Sequence, residues 1–389
     1  METGMIITDG IRYVGVNDHE TDLFEGQYRI PDGMAYNSYL ITDEQIAVMD
    51  SVDARFCGEW LANIDRAAAG RQPDYLIVQH MEPDHSGSIS GFMSAYPQAK
   101  LVTSAKARVM LNSFFGTDFG DRLMQVGEGD TLSLGGRSLS FIAAPMVHWP
   151  EVIMTYDDKA GALFSADAFG TFGALDVPAG DWAAEARRYY IGIVGKYGVQ
   201  VQSVLKKAAG LDIRLICPLH GPTLKENLSY YLSLYNTWSS YAAEEEGVAI
   251  AYTSIYGHTK AAVLLLAEKL RARGCPHVAI HDLARCDTHE ALADVFRYSR
   301  TVLATTTYNG GVFPHMREFL CHLGERNFSG RTVGIIENGS WAPMADKLIR
   351  EGLAKCKNLT FAENSVKIIS ALNDESAARL EALAEELWP

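Results

Sequence analysis

The chain has 389 residues, 48% of them hydrophobic and 21% charged, and a formal net charge of -14. That length exceeds a typical single core and predicts two domains of an ordinary globular protein. The acidic balance argues against a sequence-independent nucleic-acid partner or an anionic membrane surface, and no apolar run approaches the ~20 residues of a membrane span.

The start, Met1-Glu2-Thr3-Gly4, lacks the basic and apolar regions of a secretory signal. Cys57, Cys217, Cys275, Cys286, Cys321 and Cys356 are scattered with no C-x-x-C pair. That excludes a rubredoxin-type or zinc-ribbon module and predicts free thiols in a reducing cytoplasm.

Up to residue 240 or so, apolar strands alternate with turns and a few helices. Strands are predicted at 45–49, 75–78, 101–103, 139–143, 162–164 and 213–217, and helices at 55–69, 105–115 and 182–205. The run Tyr75-Leu76-Ile77-Val78 empties into His80-Met81-Glu82-Pro83-Asp84-His85, four candidate metal ligands within six residues. His148, Asp167 and His220 each follow a further short apolar run, so four of the five histidines before residue 248 sit at strand exits. Any one of them alone is as well read as a satisfied loop or core histidine. As a set they are what a two-metal site needs: imidazoles and carboxylates delivered from several strands, with one carboxylate able to bridge.

Small and acidic residues at Ser239-Ser240-Tyr241-Ala242-Ala243-Glu244-Glu245-Glu246-Gly247 then break the pattern, placing the boundary between domains 1–246 and 247–389. Beyond it, strands at 248–252, 277–280, 302–304, 333–336 and near 366 alternate with helices at 260–273, 288–298, 316–323, 345–354 and 377–387. Five strands with crossover helices predict a doubly wound parallel sheet of flavodoxin type.

The first strand of that sheet leads into Thr253-Ser254-Ile255-Tyr256-Gly257-His258-Thr259. Hydroxyls and unpaired backbone N–H groups at a helix N-terminus favour an anion such as a phosphate, although an ordinary N-cap by Ser254 or Thr259 would use the same residues. Two more polar loops follow strands, Thr305-Thr306-Thr307-Tyr308-Asn309-Gly310-Gly311 and Asn338-Gly339-Ser340-Trp341. In doubly wound sheets ligands bind beyond the carboxyl ends of the strands. Three such loops with Tyr308 and Trp341 as flat surfaces predict a phosphate plus an aromatic ring system. Flavin mononucleotide (FMN) fits, since the G-x-G-x-x-G of a dinucleotide binder is missing.

The run His80-x-Glu82-x-Asp84-His85, then His148 within His148-Trp149-Pro150-Glu151, then Asp167 and His220, resembles the flavodiiron proteins over essentially the whole chain, including Tyr36-Asn37-Ser38-Tyr39-Leu40. The resemblance implies an N-terminal metallo-β-lactamase-like αββα sandwich and a C-terminal flavodoxin-like domain. It assigns His80, Glu82 and His148 to one iron, Asp84, His85 and His220 to a second, and Asp167 to the bridge between them. It further implies reduction of dioxygen to water, of nitric oxide to nitrous oxide, or both. Electrons would enter through FMN from a rubredoxin or a reduced deazaflavin, in a head-to-tail homodimer or dimer of dimers. Tyr197 matches a position near the family's substrate pocket, though a packed core tyrosine explains it equally well.

Two alternatives stand beside this. A zinc hydrolase of the lactamase fold joined to a flavodoxin-like domain would carry nitrogen ligands where Glu82 supplies a carboxylate, and the carboxylate shifts the site toward iron. A flavodoxin-like electron carrier with a structural partner domain would show no catalytic loss when His85 is changed.

Overall fold

The computed structural model describes residues 4–178 and 180–389; Met1 to Thr3, which open the segment read above as lacking a secretory signal, lie outside the described residues. The chain divides into two compact units, one of residues 4–190 and 199–236, the other of residues 191–198 and 237–389. Among the described residues no helix is long and apolar enough to cross a membrane.

The first unit is built on two sheets. One has seven strands, with Tyr39–Thr42, Ile46–Met49, Tyr75–Ile77 and Lys100–Ser104 adjacent at its centre. The other has five, ordered Thr131–Ser133, Ser138–Ala143, Ile153–Asp157, Ala162–Phe164 and Leu215–Cys217. Tyr39, Ile41, Ala47, Met49, Ile77 and Val102 from the first sheet form one buried cluster with Leu139, Phe141, Ile153, Phe164 and Cys217 from the second. Burying one face of each sheet against the other is the main hydrophobic term here. With its flanking helices this is the metallo-β-lactamase-like sandwich.

The second unit carries a parallel sheet ordered Val278–Asp282, Glu245–Tyr252, Tyr298–Tyr308, Thr332–Asn338, then Thr360–Phe361 and Val366–Ile368, both paired to the same neighbour. In chain order this is 2-1-3-4-5, the flavodoxin-like arrangement. Val248 to Tyr252 are all buried, as strands covered by helices on both faces must be. His258–Ala272 and Asp374–Leu387 pack together on one face through Ala262, Val263, Leu266, Leu383 and Leu387.

One helix differs from its sequence pattern. Residues 182–205 form an α-helix at Trp182–Tyr189, a π-helical turn at Tyr190–Val194, a 3-10 turn at Gly195–Tyr197, and a second α-helix at Gly198–Ala208. Gly192, Gly195 and Gly198 sit within seven residues of β-branched Ile191, Ile193 and Val194. These residues weaken regular helix, and Gly admits the altered winding. Tertiary bonds fix the new path: Asn327 Nδ2 and Tyr241 Oη both donate to the Lys196 carbonyl, at 2.8 and 3.1 Å.

Candidate metal and flavin sites

The acidic–imidazole cluster forms where both sheets of the first unit end. After strand Tyr75–Ile77 the chain enters a loop holding His80, then a one-turn helix Pro83–Ser86 with proline at its first turn. Proline lacks the N–H that a helix start leaves unpaired, so it sets this turn without cost. Glu82 sits at the N-cap, and Asp84 and His85 lie in the turn itself. His148 follows strand Ser138–Ala143, Asp167 follows Ala162–Phe164, and His220 follows Leu215–Cys217. The last two turns need left-handed backbone, at Ala166 (φ +50°) and Gly221 (φ +75°).

All seven side chains converge, in two groups. Ligating atoms of His80, Glu82, His148 and Asp167 all lie within 4.8 Å of one another, and so do those of Asp84, His85 and His220. His148 Nε2 stands 3.0 Å from both Glu82 Oε2 and Asp167 Oδ2, and His80 Nε2 is 3.2 and 3.4 Å from the same two atoms. On the other side, Asp84 Oδ2 is 3.2 Å from His85 Nε2 and 3.3 Å from His220 Nε2. Asp167 faces both groups, with Oδ2 toward His80 and His148 and Oδ1 toward His85 at 3.2 Å and His220 at 3.7 Å.

Electrostatics says what this arrangement lacks. Burial opposes charge on His80, Glu82, His85, His148 and Asp167, yet their neighbours win. The carboxylates around His80 hold it protonated well above its usual range, and bonds to Asp167 and Glu82 lift His148 to about 9. Burial would raise Glu82, but His148 and His80 bring it down to about 2. The imidazoles thus serve as counter-ions for the carboxylates. Both oxygens of Asp84 and Oδ1 of Asp167 are buried and accept no hydrogen bond. Orphan acceptors of this kind are what a cation satisfies, so the donor set fits two cations.

Several orienting groups have partners that sequence spacing does not reveal. Glu151 Oε1 accepts from His80 Nδ1 at 2.8 Å and from the Met81 N–H at 2.9 Å. The Ala35 carbonyl accepts from His220 Nδ1 at 2.8 Å. Such partners fix the tautomer and the ring of a ligating histidine. Nδ1 of His85 is buried with no hydrogen-bond partner. Tyr197 lies in the 3-10 turn at Gly195–Tyr197, half-buried with the Lys196 ammonium 5.9 Å over its ring, and is not among the converging residues.

In the second unit a cavity of about 720 Å³ opens at the carboxyl ends of the parallel strands. Ser254, Ile255, Tyr256, His258, Thr259, Thr307, Tyr308, Asn309, Gly310, Gly339, Ser340 and Trp341 line it. Gly257 does not. It caps helix His258–Ala272 with φ +92°, a conformation that favours glycine, and its N–H donates to Ser254 Oγ at 3.1 Å. Lys260 N–H donates to the same oxygen at 3.2 Å, so Ser254 also serves as a local cap while its own hydrogen remains to donate. Phe313, Met344 and Ser370 join the lining from turns that the sequence did not single out. Flat aromatic walls, hydroxyl donors and a helix N-terminus suit FMN.

A family model described as an ODP family beta lactamase matches residues 34–221. An uncharacterised protein of Methanocaldococcus jannaschii is 31% identical over 322 residues, 82% of this chain and 81% of its own. The rubredoxin-oxygen oxidoreductase of Megalodesulfovibrio gigas is 27% identical over 89% of this chain and 88% of its own. A solved structure of the rubredoxin oxygen:oxidoreductase from Desulfovibrio gigas superposes with a TM-score of 0.91, at 25% identity over 98% of this chain and 97% of the other. The flavodiiron protein of Giardia intestinalis shares the fold, with a TM-score of 0.88 at 24% identity over 98% of both chains. Fold, cluster and cavity together define a flavin-dependent oxidoreductase with a binuclear metal centre. The chain belongs to the flavodiiron protein family, whose cofactors are FMN and two iron ions.

Proposed function

We propose that this protein reduces dioxygen to water, nitric oxide to nitrous oxide, or both, using electrons delivered through FMN. The observation that carries the proposal is Asp167, whose two oxygens face two separate sets of imidazole and carboxylate groups. In this reading His80, Glu82 and His148 hold one iron, Asp84, His85 and His220 hold the other, and Asp167 joins them. When bound there, the two irons would supply electrons and open coordination positions to a small diatomic gas. The chain's own part is to hold and orient. Glu151 keeps the His80 ring turned so that Nε2 faces Glu82 and Asp167, and the Ala35 carbonyl does the same for His220. Residues 1–246 carry the metals and residues 247–389 the flavin, with the phosphate at the 254–259 loop and the ring system near Tyr308 and Trp341.

A rubredoxin or a reduced deazaflavin serves as electron donor. Similarity to the rubredoxin-oxygen oxidoreductase of Megalodesulfovibrio gigas supports the first of these. The working assembly is a head-to-tail homodimer or a dimer of such dimers, acting in the cytoplasm. Tyr197 is retained as a residue near the gas.

The rival is a zinc hydrolase. Glu82 stands against it, because its carboxylate is shared with His80 and His148 at 3.2 and 3.0 Å where zinc sites of this kind take nitrogen. Metal analysis of protein purified without oxygen separates the two. About two irons and one FMN per chain are expected; two zincs with hydrolytic activity would overturn the proposal.

A further inference from the structure

The first unit holds a small cavity of about 10 Å³. That is room for about one water-sized molecule. Part of its lining comes from the chain segments that carry two of the metal-site residues: Val147 precedes His148, and Ala168 and Phe169 follow Asp167. Helix Gly198–Ala208 adds Val201, Val204 and Ala208, and helix Leu228–Ser239 adds Tyr235. All of these are buried. Among the described residues, no lining side chain but Tyr235 carries a hydroxyl, amide or charge, and Tyr235 Oη already accepts the Phe169 N–H. A water there lacks the two to four polar partners it needs, and apolar cavities of this kind stay dry and take up apolar atoms such as xenon. The cavity also reaches toward solvent. Leu205 and Leu232 in its lining are only half-buried, and Leu205 also lines an open surface depression with Val199, Gln202 and Lys206.

We propose that this cavity is a holding site for the diatomic gas on its way to the metal centre, entered past Leu205 and Leu232. This rests on the reading of the protein as a dioxygen or nitric oxide reductase. Both gases are small and weakly hydrated, so moving one from water into a dry apolar space is favourable. A charged or strongly hydrated substrate would lose its water there and gain no partner. Position distinguishes this cavity from an ordinary packing void. The segments that line it carry His148 and Asp167, whose Nε2 and Oδ2 atoms stand 3.0 Å apart in the metal site.

The test uses the full chain loaded with iron and FMN, with xenon as an inert probe of the cavity. Xenon NMR should show saturable binding, and xenon pressure should raise KM for the gas in steady-state turnover while kcat stays constant. Ala208→Leu, which fills the cavity from helix Gly198–Ala208, should abolish the bound xenon with iron and FMN contents as in wild type. It should also raise KM about fivefold at constant kcat, as loss of a binding contact made equally throughout the reaction does. Wild type that takes up no xenon would overturn the proposal. So would bound xenon that leaves KM untouched, or an Ala208→Leu variant with the KM of wild type, since either makes the cavity a packing void. If the leucine variant does not fold, competition by xenon in wild type decides alone. Wild type that holds xenon yet reduces neither gas would overturn the proposed reaction and, with it, the cavity's part in supplying the gas.

Discussion

Asp167 is the residue on which the first site turns, because each of its oxygens belongs to a different group of imidazoles. On the proposed assignment, replacing it would remove a ligand from both cations and the charge that offsets their mutual repulsion. Asp167→Ala is expected to purify with neither iron; one tightly held iron per chain, measured by metal analysis, would make Asp167 a terminal ligand. Glu151 acts one step further out, through His80. Glu151→Gln should lower metal affinity about 10- to 100-fold with FMN content unchanged, which chelator competition and flavin absorbance would show. The titrating groups give a third expectation. Without metal, the folded chain holds His148 up to about 9, above its usual 6.5. That stabilisation is complete below pH 6.5 and is lost as pH rises through 9. Glu82, brought down to about 2 from 4.5, stabilises above pH 4.5 and ceases to as pH falls through 2. The unfolding midpoint of metal-free protein should therefore fall between pH 6.5 and 9. The metal-loaded form, whose ligating imidazoles carry no extra proton, should not follow it. Thermal melts of both forms across that window decide the matter, and parallel curves would count against the pairing of His148 with Glu82 and Asp167.

At the scale of elements, the sequence is most legible where an apolar run ends in residues of one chemistry. The strands before His80, Asp167 and His220 announce themselves this way, and so do the three loops around the flavin cavity. Several strands before residue 45 span only two to four residues, too short for an alternating pattern to show. Glu151 is visible in His148-Trp149-Pro150-Glu151, but its partner His80 lies 71 positions away, in the loop after strand Tyr75–Ile77. The Ala35 carbonyl has no side chain to read. The break in the helix predicted at 182–205 was masked by good helix formers on either side, although Gly192, Gly195 and Gly198 mark it in retrospect. Gly198 also tests that segment. A Cβ there would collide with the Ser239 carbonyl oxygen and stand 2.8 Å from the Tyr241 ring. Overpacking of this kind costs about 1–3 kcal/mol, so Gly198→Ala should lower the unfolding free energy by that amount. A variant as stable as wild type in denaturant titration would mean that the turn can shift freely.

For the whole molecule, the proposed assignment puts metals and flavin in different domains, so each should be removable without the other. Ser254→Ala combined with Thr259→Ala should weaken FMN binding and leave the irons in place. Such protein, its irons reduced chemically, should consume one charge of gas and stop, and added FMN should restore turnover. Continuous turnover of flavin-free protein with its donor would place electron entry at the metals. The most direct measurement is anaerobic turnover of the iron- and FMN-loaded protein with each gas in turn, following oxygen uptake and nitrous oxide release. Sustained reduction of at least one gas, abolished in Asp167→Ala, is the predicted result. A fully loaded protein that reduces neither gas while its flavin remains reduced would contradict the account.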